Sequence, residues 1–260
     1  MQRLAVCVGI NNYPGTQNDL SGCVNDARDW ATELATRGFS GTSLLDSQAS
    51  KGAILFHVKD ALRQAQPGDV VVFTYSGHGS WTPDLDGDEP DGRDEALCPH
   101  DFEQGLLTDD ELYEVFTDRN PRVRLVFISD SCHSGTVARF ADIVPEAHAP
   151  RVKFLPPRAG IFGLDPLGFK DVSRAPVLSR AKSSALLLAG CQDTEYSYDA
   201  WFAGRPNGAF TRAALQAIRA APKTYLEWQQ GIRRLLPSTS YPQRPALVGT
   251  ATQKHWPIFG

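Results

Sequence analysis

The sequence predicts an α/β protein with a mostly parallel, six-stranded sheet and helices on both of its faces. Two observations lead to this prediction. Short apolar runs rich in Val, Ile, Leu and Phe are typical of strands buried on both faces, and they alternate with segments of amphipathic helical period along the 260 residues. The six predicted strands lie at residues 4–10, 44–45, 69–75, 123–129, 184–190 and 246–249.

Helices are predicted between these strands from the same periodicity. Thr108, followed three residues later by Glu111, is typical of a capping box at a helix start, and Gly38 is typical of a helix end. The helices are expected at residues 23–37, 50–66, 108–116, 208–220 and 224–235. With no repeat or composition shift, residues 1–260 are expected to form a single domain, interrupted by a long irregular segment at about 140–182.

Composition excludes several functional classes. The net charge of −4 argues against a general nucleic-acid binder, and no run approaches the 18 apolar residues of a membrane span. Residues 1–10 lack the features of a signal peptide. The five cysteines are odd in number and have no disulfide-framework or zinc spacing, which suits a reducing compartment. A cytoplasmic protein without an organic cofactor is therefore expected.

Cys132 and His78 are the candidate catalytic residues. Cys132 lies three residues past the apolar run at 123–129, and His78 lies three residues past the run at 69–75. If these strands are parallel neighbours, both side chains lie at the carboxyl edge of the sheet, where ligands bind in open α/β folds. A cysteine with an imidazole beside it is the arrangement of a nucleophile and its base.

Glycine and serine surround both residues and leave room for a substrate. The main-chain N–H groups of Gly79 and Cys132, in the tight turns after the two strands, are candidate donors to an oxyanion. His133 adjoins the nucleophile, but its side chain is expected to point away from Cys132, so the base is assigned to His78.

These motifs resemble those of the metacaspases, caspase-like cysteine peptidases of clan CD, and look most like the compact type I or prokaryotic form. The resemblance rests on YSGHGS at 75–80 and ISDSCHSG at 128–135, with GINNY at 9–13 and LSGCVNDA at 20–27, and it covers residues 1–250. It implies a caspase-like (caspase-hemoglobinase) fold, a catalytic pair of His78 and Cys132, and cleavage of peptide bonds after Arg or Lys.

The family's acidic pocket for the substrate side chain matches four positions of this chain, namely Cys23, Asp26, Ser76 and Asp130. Charge supports the same preference without the family. Asp130 lies two residues before Cys132, hence on the same face of the turn, where a substrate Asp would meet a like charge and an Arg would find a carboxylate partner.

A calcium site is implied by the resemblance, because many metacaspases need calcium. Asp94, Asp109 and Asp110 match family calcium positions within the acidic stretch at 84–111. The fourth acidic ligand is expected seven residues after Cys132, where this chain has Arg139, an oppositely charged residue that cannot ligate calcium. Asp142 is a substitute only if the chain bends back. A solvated acidic loop that attracts basic substrates is the alternative.

The irregular segment is predicted to restrain the active site and to be cut by the enzyme itself or by an activating protease. It holds several basic residues after which such an enzyme could cleave, and the sequence does not choose among them: Arg151, Lys153, Arg158, Lys170, Arg174, Arg180 and Lys182.

The sequence as a whole predicts a cysteine endopeptidase that cleaves protein substrates after exposed Arg or Lys. The resemblance further implies a monomer. Two alternatives stay open, a caspase-type enzyme that cleaves after Asp and a non-catalytic, calcium-responsive regulatory module.

Overall fold

The structure is a computed structural model, and it describes residues 1–84, 92–133, 149–157, 184–192 and 195–260. In chain order, the described strands are β1 (Arg3–Gly9), β2 (Ser40–Leu45), β3 (Val70–Ser76), β4 (Gly79–Pro83), β5 (Arg93–Leu97), β6 (Leu107–Thr108), β7 (Arg124–Asp130), β8 (Arg151–Val152), β9 (Leu186–Ala189), β10 (Tyr198–Phe202), β11 (Arg205–Gly208) and β12 (Ala246–Val248). The described α-helices are α1 (Cys23–Thr36), α2 (Lys51–Gln64), α3 (Asp109–Thr117), α4 (Ala209–Ile218), α5 (Tyr225–Ile232) and α6 (Ala251–Lys254).

A six-stranded sheet in the order β12-β9-β7-β3-β1-β2 forms the centre of the protein. All its neighbouring strands are parallel except β12, which is antiparallel to β9. β3 and β7 are buried along nearly their whole length, as their uninterrupted apolar runs predict. The predicted fold class and all six predicted strands are therefore confirmed.

Helices cover both faces of this sheet, each over its own hydrophobic cluster. On one face, α2 and α3 pack on a cluster in which the rings of Phe73 and Phe127 stack at 4.8 Å. On the other face, α1, α4 and α5 pack on a cluster in which Trp30 and Trp228 meet edge to face at 5.9 Å. The capping box of α3 forms as predicted, since Thr108 Oγ1 accepts from the N–H of Glu111 and the Glu111 carboxylate accepts from the N–H of Thr108.

Two small antiparallel sheets stand where the sequence predicted only loops. β4, β5 and β6 form one, and β8, β10 and β11 form the other. Their strands have only two to five residues of mixed polarity, so they lack the long apolar runs that marked the central strands. Likewise β2 is longer than predicted, because its first four residues are exposed at the edge of the sheet.

The register of the central strands decides where the site lies. β3 and β7 are parallel neighbours, and Ser76 at the end of β3 pairs with Asp130 at the end of β7. His78 and Cys132 each follow their strand by two residues, so both reach the same carboxyl edge, as predicted. In the described ranges, no helix has the length and apolar character needed to cross a membrane.

Candidate active site

Cys132 lies fully buried just beyond β7. Its main-chain N–H donates to the carbonyl oxygen of Lys153 at 3.1 Å. Its thiol contacts the main chain of Ser197, whose N–H donates to Sγ and whose carbonyl oxygen lies 3.4 Å from Sγ. The nucleophile candidate is therefore held by Ser197, the residue just before β10, rather than by an imidazole.

His78 lies at the end of β3 with its ring buried. Nε2 lies 2.8 Å from the carbonyl oxygen of Asn18, and Nδ1 is buried without a hydrogen-bond partner. Burial lowers the pKa of His78 from 6.5 to about 4; the carbonyl of Asn18 opposes this shift, and the positive charges of Lys153 and Arg151 add to it. The neutral imidazole thus has one free nitrogen that can accept a proton.

His133 faces away from the thiol, as predicted. Its Nδ1 lies 3.1 Å from the carbonyl oxygen of Ala96 on β5, and its Nε2 lies 3.3 Å from Ser131 Oγ. These contacts leave His78 as the imidazole at the strand edge that has an unpartnered nitrogen.

Gly79 supplies the second main-chain donor at the site. Its N–H donates to the carbonyl oxygen of Lys153 at 3.0 Å, so this oxygen accepts from both predicted oxyanion donors. Gly79 also passes very close to the nucleophile loop, because a Cβ at this position would lie 2.0 Å from the carbonyl oxygen of Cys132. Only glycine allows this approach.

Lys153 places its ammonium among the predicted substrate-binding residues. The side chain is fully buried, and Nζ lies 3.1 Å from Asp26 Oδ2, 3.2 Å from Asp130 Oδ2 and 2.9 Å from Ser76 Oγ. Cys23 is also fully buried at this place, and its thiol interacts with Ser76 and with the charge of Lys153. We call Cys23, Asp26, Ser76 and Asp130 the acidic pocket, and the structure brings all four together.

Four residues outside the predicted set hold the two carboxylates of the acidic pocket. Asp26 accepts from Asn207 Nδ2 at 2.9 Å and from the main-chain N–H of Gly208 at 2.9 Å. Asp130 accepts from Thr211 through its N–H at 3.0 Å and its hydroxyl at 2.7 Å, and from the hydroxyl of Ser197. Because each carboxylate keeps several donors, the negative charges are stabilised inside the protein.

These supporting residues were not predicted from the sequence. Asn207 and Gly208 lie on β11, which the sequence did not predict, and Thr211 lies in the first turn of α4. A Cβ at Gly208 would lie 2.0 Å from Asp130 Oδ2 and 2.4 Å from Lys153 Nζ, so the pocket needs glycine there. Asn207 and Thr211, two polar residues on either side of the start of a largely apolar helix, are the signal that could have indicated a binding role.

The electrostatics of the acidic pocket favour a bound cation. Burial alone would lower the pKa of Lys153, but the charges around it, foremost Asp130, reverse this and raise that pKa well above its ordinary value. For Asp26, burial raises the pKa of the carboxyl, while the ammonium of Lys153 opposes the shift. Asp199, which accepts from the main-chain N–H of Gly22 at 2.8 Å, adds a third buried carboxyl; burial raises its pKa to about 6.

Residues 151–155 lie across the site as an extended peptide, and we call them the self-segment. Val152 pairs with Tyr198 of β10 in antiparallel orientation, and the N–H of Lys153 donates to the carbonyl oxygen of Ser197 at 2.9 Å. The chain then passes Cys132 and continues beside Gly79, which forms a parallel bridge with Phe154. Main-chain and side-chain groups of Lys153 are therefore bound at the same time.

The three predicted calcium ligands lie near α3 and β5. Asp109 and Asp110 open α3, and Asp94 on β5 pairs with Thr82 of β4. Within the described part of the chain, no three or more His, Cys, Asp and Glu side chains are grouped so that they could hold a metal ion. These residues alone thus do not fit a calcium ion, and Arg139 and Asp142 lie outside the described residues.

A mostly parallel sheet with a thiol and an imidazole at its carboxyl edge places the protein in the class of caspase folds. Residues 2–255 match the family model described as the caspase domain of C14 peptidases, and the chain belongs to this family. The crystal structure of a protein from Geobacter sulfurreducens is similar over 100% of this chain and 98% of its own, with a TM-score of 0.73 and 29% identity. The crystal structure of caspase-1 from Spodoptera frugiperda is similar over 95% of this chain and 84% of its own, with a TM-score of 0.54. At 14% identity, this similarity supports the fold alone.

Curated relatives specify the branch of the family. Metacaspase-1A of Aspergillus clavatus is 32% identical over 283 residues, which cover 95% of this chain and 66% of the relative. Metacaspase-1 of Emericella nidulans is also 32% identical, over 95% of this chain and 70% of the relative. The predicted metacaspase resemblance is confirmed, and the chain spans about two thirds of the length of these relatives.

Proposed function

We propose that this protein is a cysteine endopeptidase that cleaves peptide bonds after Lys or Arg, and that the self-segment occupies its cleft as an internal substrate. One observation carries the proposal. The carbonyl oxygen of Lys153 accepts from Gly79 and Cys132 while its ammonium lies between Asp26 and Asp130. A residue held at both ends in this way has the position of the residue before a scissile bond.

In the proposed reaction, His78 first accepts the proton of the Cys132 thiol, and the resulting thiolate attacks the carbonyl carbon of that residue and forms a C–S bond. The negative charge that develops on the carbonyl oxygen is stabilised by the N–H groups of Gly79 and Cys132. His78 gives a proton to the leaving amine as the C–N bond breaks. A water molecule then attacks the thioester as His78 accepts its proton, and His78 returns this proton to the Cys132 sulfur when the C–S bond breaks.

His78 Nδ1 is the nitrogen we assign to these proton transfers. It is buried at the site and has no hydrogen-bond partner, whereas Nε2 faces the carbonyl oxygen of Asn18. The Asn18 carbonyl fixes Nε2 as the protonated nitrogen of the neutral ring, which leaves the lone pair on Nδ1. The thiol contact to Ser197 must be exchanged for one to His78 when the reaction starts.

Cleavage after Lys or Arg follows from the acidic pocket. Its two buried carboxylates would oppose a substrate Asp and would hold an ammonium or a guanidinium. The position of Lys153 between them supports a preference for a basic side chain.

Self-processing is the second part of the proposal. Since Lys153 is bound as an internal substrate, the uncleaved chain would be a zymogen whose pocket is blocked by its own segment. Cleavage between Lys153 and Phe154, by the enzyme itself or by an activating protease, would release the block. The other basic candidates from Arg158 to Lys182 lie outside the described residues.

Peptide substrates with a fluorogenic leaving group after Arg, Lys or Asp test this function. We expect wild-type protein to hydrolyse the Arg and Lys substrates and Cys132→Ala to hydrolyse none. Preference for the Asp substrate would favour the caspase-type alternative. If wild type and Cys132→Ala are equally inactive after removal of the self-segment, the chain is a non-catalytic module.

Calcium control is kept as a separate proposal that needs ligands beyond the described residues. It predicts that calcium raises the hydrolysis rate over a chelator control and that Asp109→Asn reduces this stimulation. Equal rates with calcium and with chelator would contradict it. The cytoplasmic location, the monomeric state and protein substrates with exposed Arg or Lys are likewise part of the proposal, to be checked by fractionation, light scattering and substrate mapping.

A further inference from the structure

The self-segment continues past Lys153 along β4. This surface has no role so far in catalysis, in the acidic pocket or in calcium binding. Phe154 forms a parallel bridge with Gly79, and the N–H of Leu155 donates to the carbonyl oxygen of Gly79 at 2.9 Å. The N–H of Gly79 binds the carbonyl of Lys153, so a single residue holds the chain on both sides of the Lys153–Phe154 bond.

Ser80 adds a side-chain contact to this surface. Its hydroxyl donates to the carbonyl oxygen of Leu155 at 2.7 Å, and the residue is 2% exposed. β5 holds Ser80 from the other side, since Ser80 pairs with Ala96 in the β4–β5 hairpin. Ser80 is therefore a donor on an ordered strand, and it binds the second residue after the proposed scissile bond.

The side chain of Leu155 also has a defined environment. It is partly buried and packs against the hydrophobic cluster that lies under α2 and α3. A charged side chain at this position would lose part of its hydration, whereas an apolar side chain gains from burial.

We propose that β4 is a binding strand for the leaving side of the substrate, with Ser80 as a positioning residue and a preference for an apolar side chain two residues after the cleaved bond. The proposal rests on the proposed peptidase function, because it takes the self-segment as a substrate. It extends recognition beyond the Lys or Arg that enters the acidic pocket.

The first experiment compares internally quenched peptides that share the sequence up to Lys-Phe and differ in the next residue. The peptide with Leu there is expected to have a kcat/KM about tenfold above that of the peptide with Asp. A short Lys substrate with a fluorogenic amine as leaving group is measured in parallel. It has no residues after the cleaved bond, so its rate reports the amount of active enzyme.

The second experiment removes the Ser80 hydroxyl. In Ser80→Ala, the ratio of kcat/KM for the Lys-Phe-Leu peptide to that for the short substrate is expected to fall about fivefold, the usual effect of one hydrogen bond. The fall should vanish for a peptide that ends as Lys-Phe-amide, because it lacks the carbonyl that Ser80 binds. Ser43→Ala, at an exposed position of β2, is the matched control and should keep all ratios of the wild type.

The outcomes separate the two levels of inference. The role of β4 is overturned if the short substrate is hydrolysed but the peptides with Leu and with Asp have equal kcat/KM. It is also overturned if Ser80→Ala leaves the kcat/KM ratio unchanged. Both results leave the peptidase function standing. A ratio that falls equally for the Lys-Phe-amide peptide also overturns the role of Ser80, since it shows a general structural effect. No hydrolysis of any substrate by protein whose self-segment has been cut by an added protease overturns both.

Discussion

The carbonyl oxygen of Lys153 lies 3.1 Å from the main-chain nitrogen of Cys132, the residue whose thiol is proposed to attack that carbonyl. The same lysine carries its ammonium into a pocket of two buried carboxylates. The chain therefore binds part of itself in the way that it is proposed to bind a substrate.

The first prediction concerns the site of self-cleavage. Intact-mass measurement of wild-type protein is expected to show fragments of residues 1–153 and 154–260, and Cys132→Ala is expected to remain whole. Lys153→Arg should still be cut, because its charge fits the acidic pocket, whereas Lys153→Gln should lose this cut. Lys170→Gln is the control and should keep the cut after residue 153. Cleavage that persists in Cys132→Ala would contradict self-processing.

The second prediction concerns the stability of the uncleaved chain. In the Cys132→Ala background, Lys153→Met leaves the carboxylates of Asp26 and Asp130 buried without their cation, and we expect a loss of roughly 3–5 kcal/mol in the free energy of unfolding. Denaturant unfolding measures it. Adding Asp130→Asn should return part of this loss, because one uncompensated charge is removed.

A control for this second prediction is Lys223→Met, since Lys223 is exposed and should lose little stability. If Lys153→Met unfolds at the same denaturant concentration as its parent, the ion pairs do not contribute to the folded state. That result would also weaken the view that the self-segment is firmly bound.

The sequence sufficed for the central sheet and for the residues nearest the chemistry. β3 and β7 are buried on both faces, so their apolar runs stand out, and the residues after them necessarily meet at one edge of a parallel sheet. Ser76 and Asp130 could be placed by the same reasoning, since they end these strands.

Other parts of the site could not be found in this way. Asn207 and Thr211 reach the acidic pocket only because β11 folds back from about 180 residues further along the chain than Asp26. Lys153 was one of seven equivalent basic residues in sequence, and its selection depends on the pairing of β8 with β10, a contact of two short strands with no periodic signal.

The third prediction concerns Thr211, which holds Asp130 through two hydrogen bonds. Thr211→Val removes the hydroxyl donor at nearly constant volume, and a bond to a charged group is typically strong, so kcat/KM for a short Lys substrate should fall roughly 10- to 100-fold. Thr32→Val, at an exposed position of α1, should be close to wild type. Rates that are equal in both variants would show that Asp130 does not need this support.

The last prediction concerns pH and His78. Its folded-state pKa of about 4 lies below the ordinary 6.5, so between these values the unfolded chain binds a proton that the folded chain does not. Stability must therefore fall as pH decreases from 6.5 to 4, by roughly 3 kcal/mol from this residue. Asp199, with its pKa raised to about 6, acts in the opposite direction over part of this window, which makes a difference measurement necessary.

In the Cys132→Ala background, adding His78→Gln should reduce the loss of unfolding free energy at acid pH. Adding His255→Gln, at an exposed position, should not. Identical pH profiles for all three proteins would contradict a buried, neutral His78.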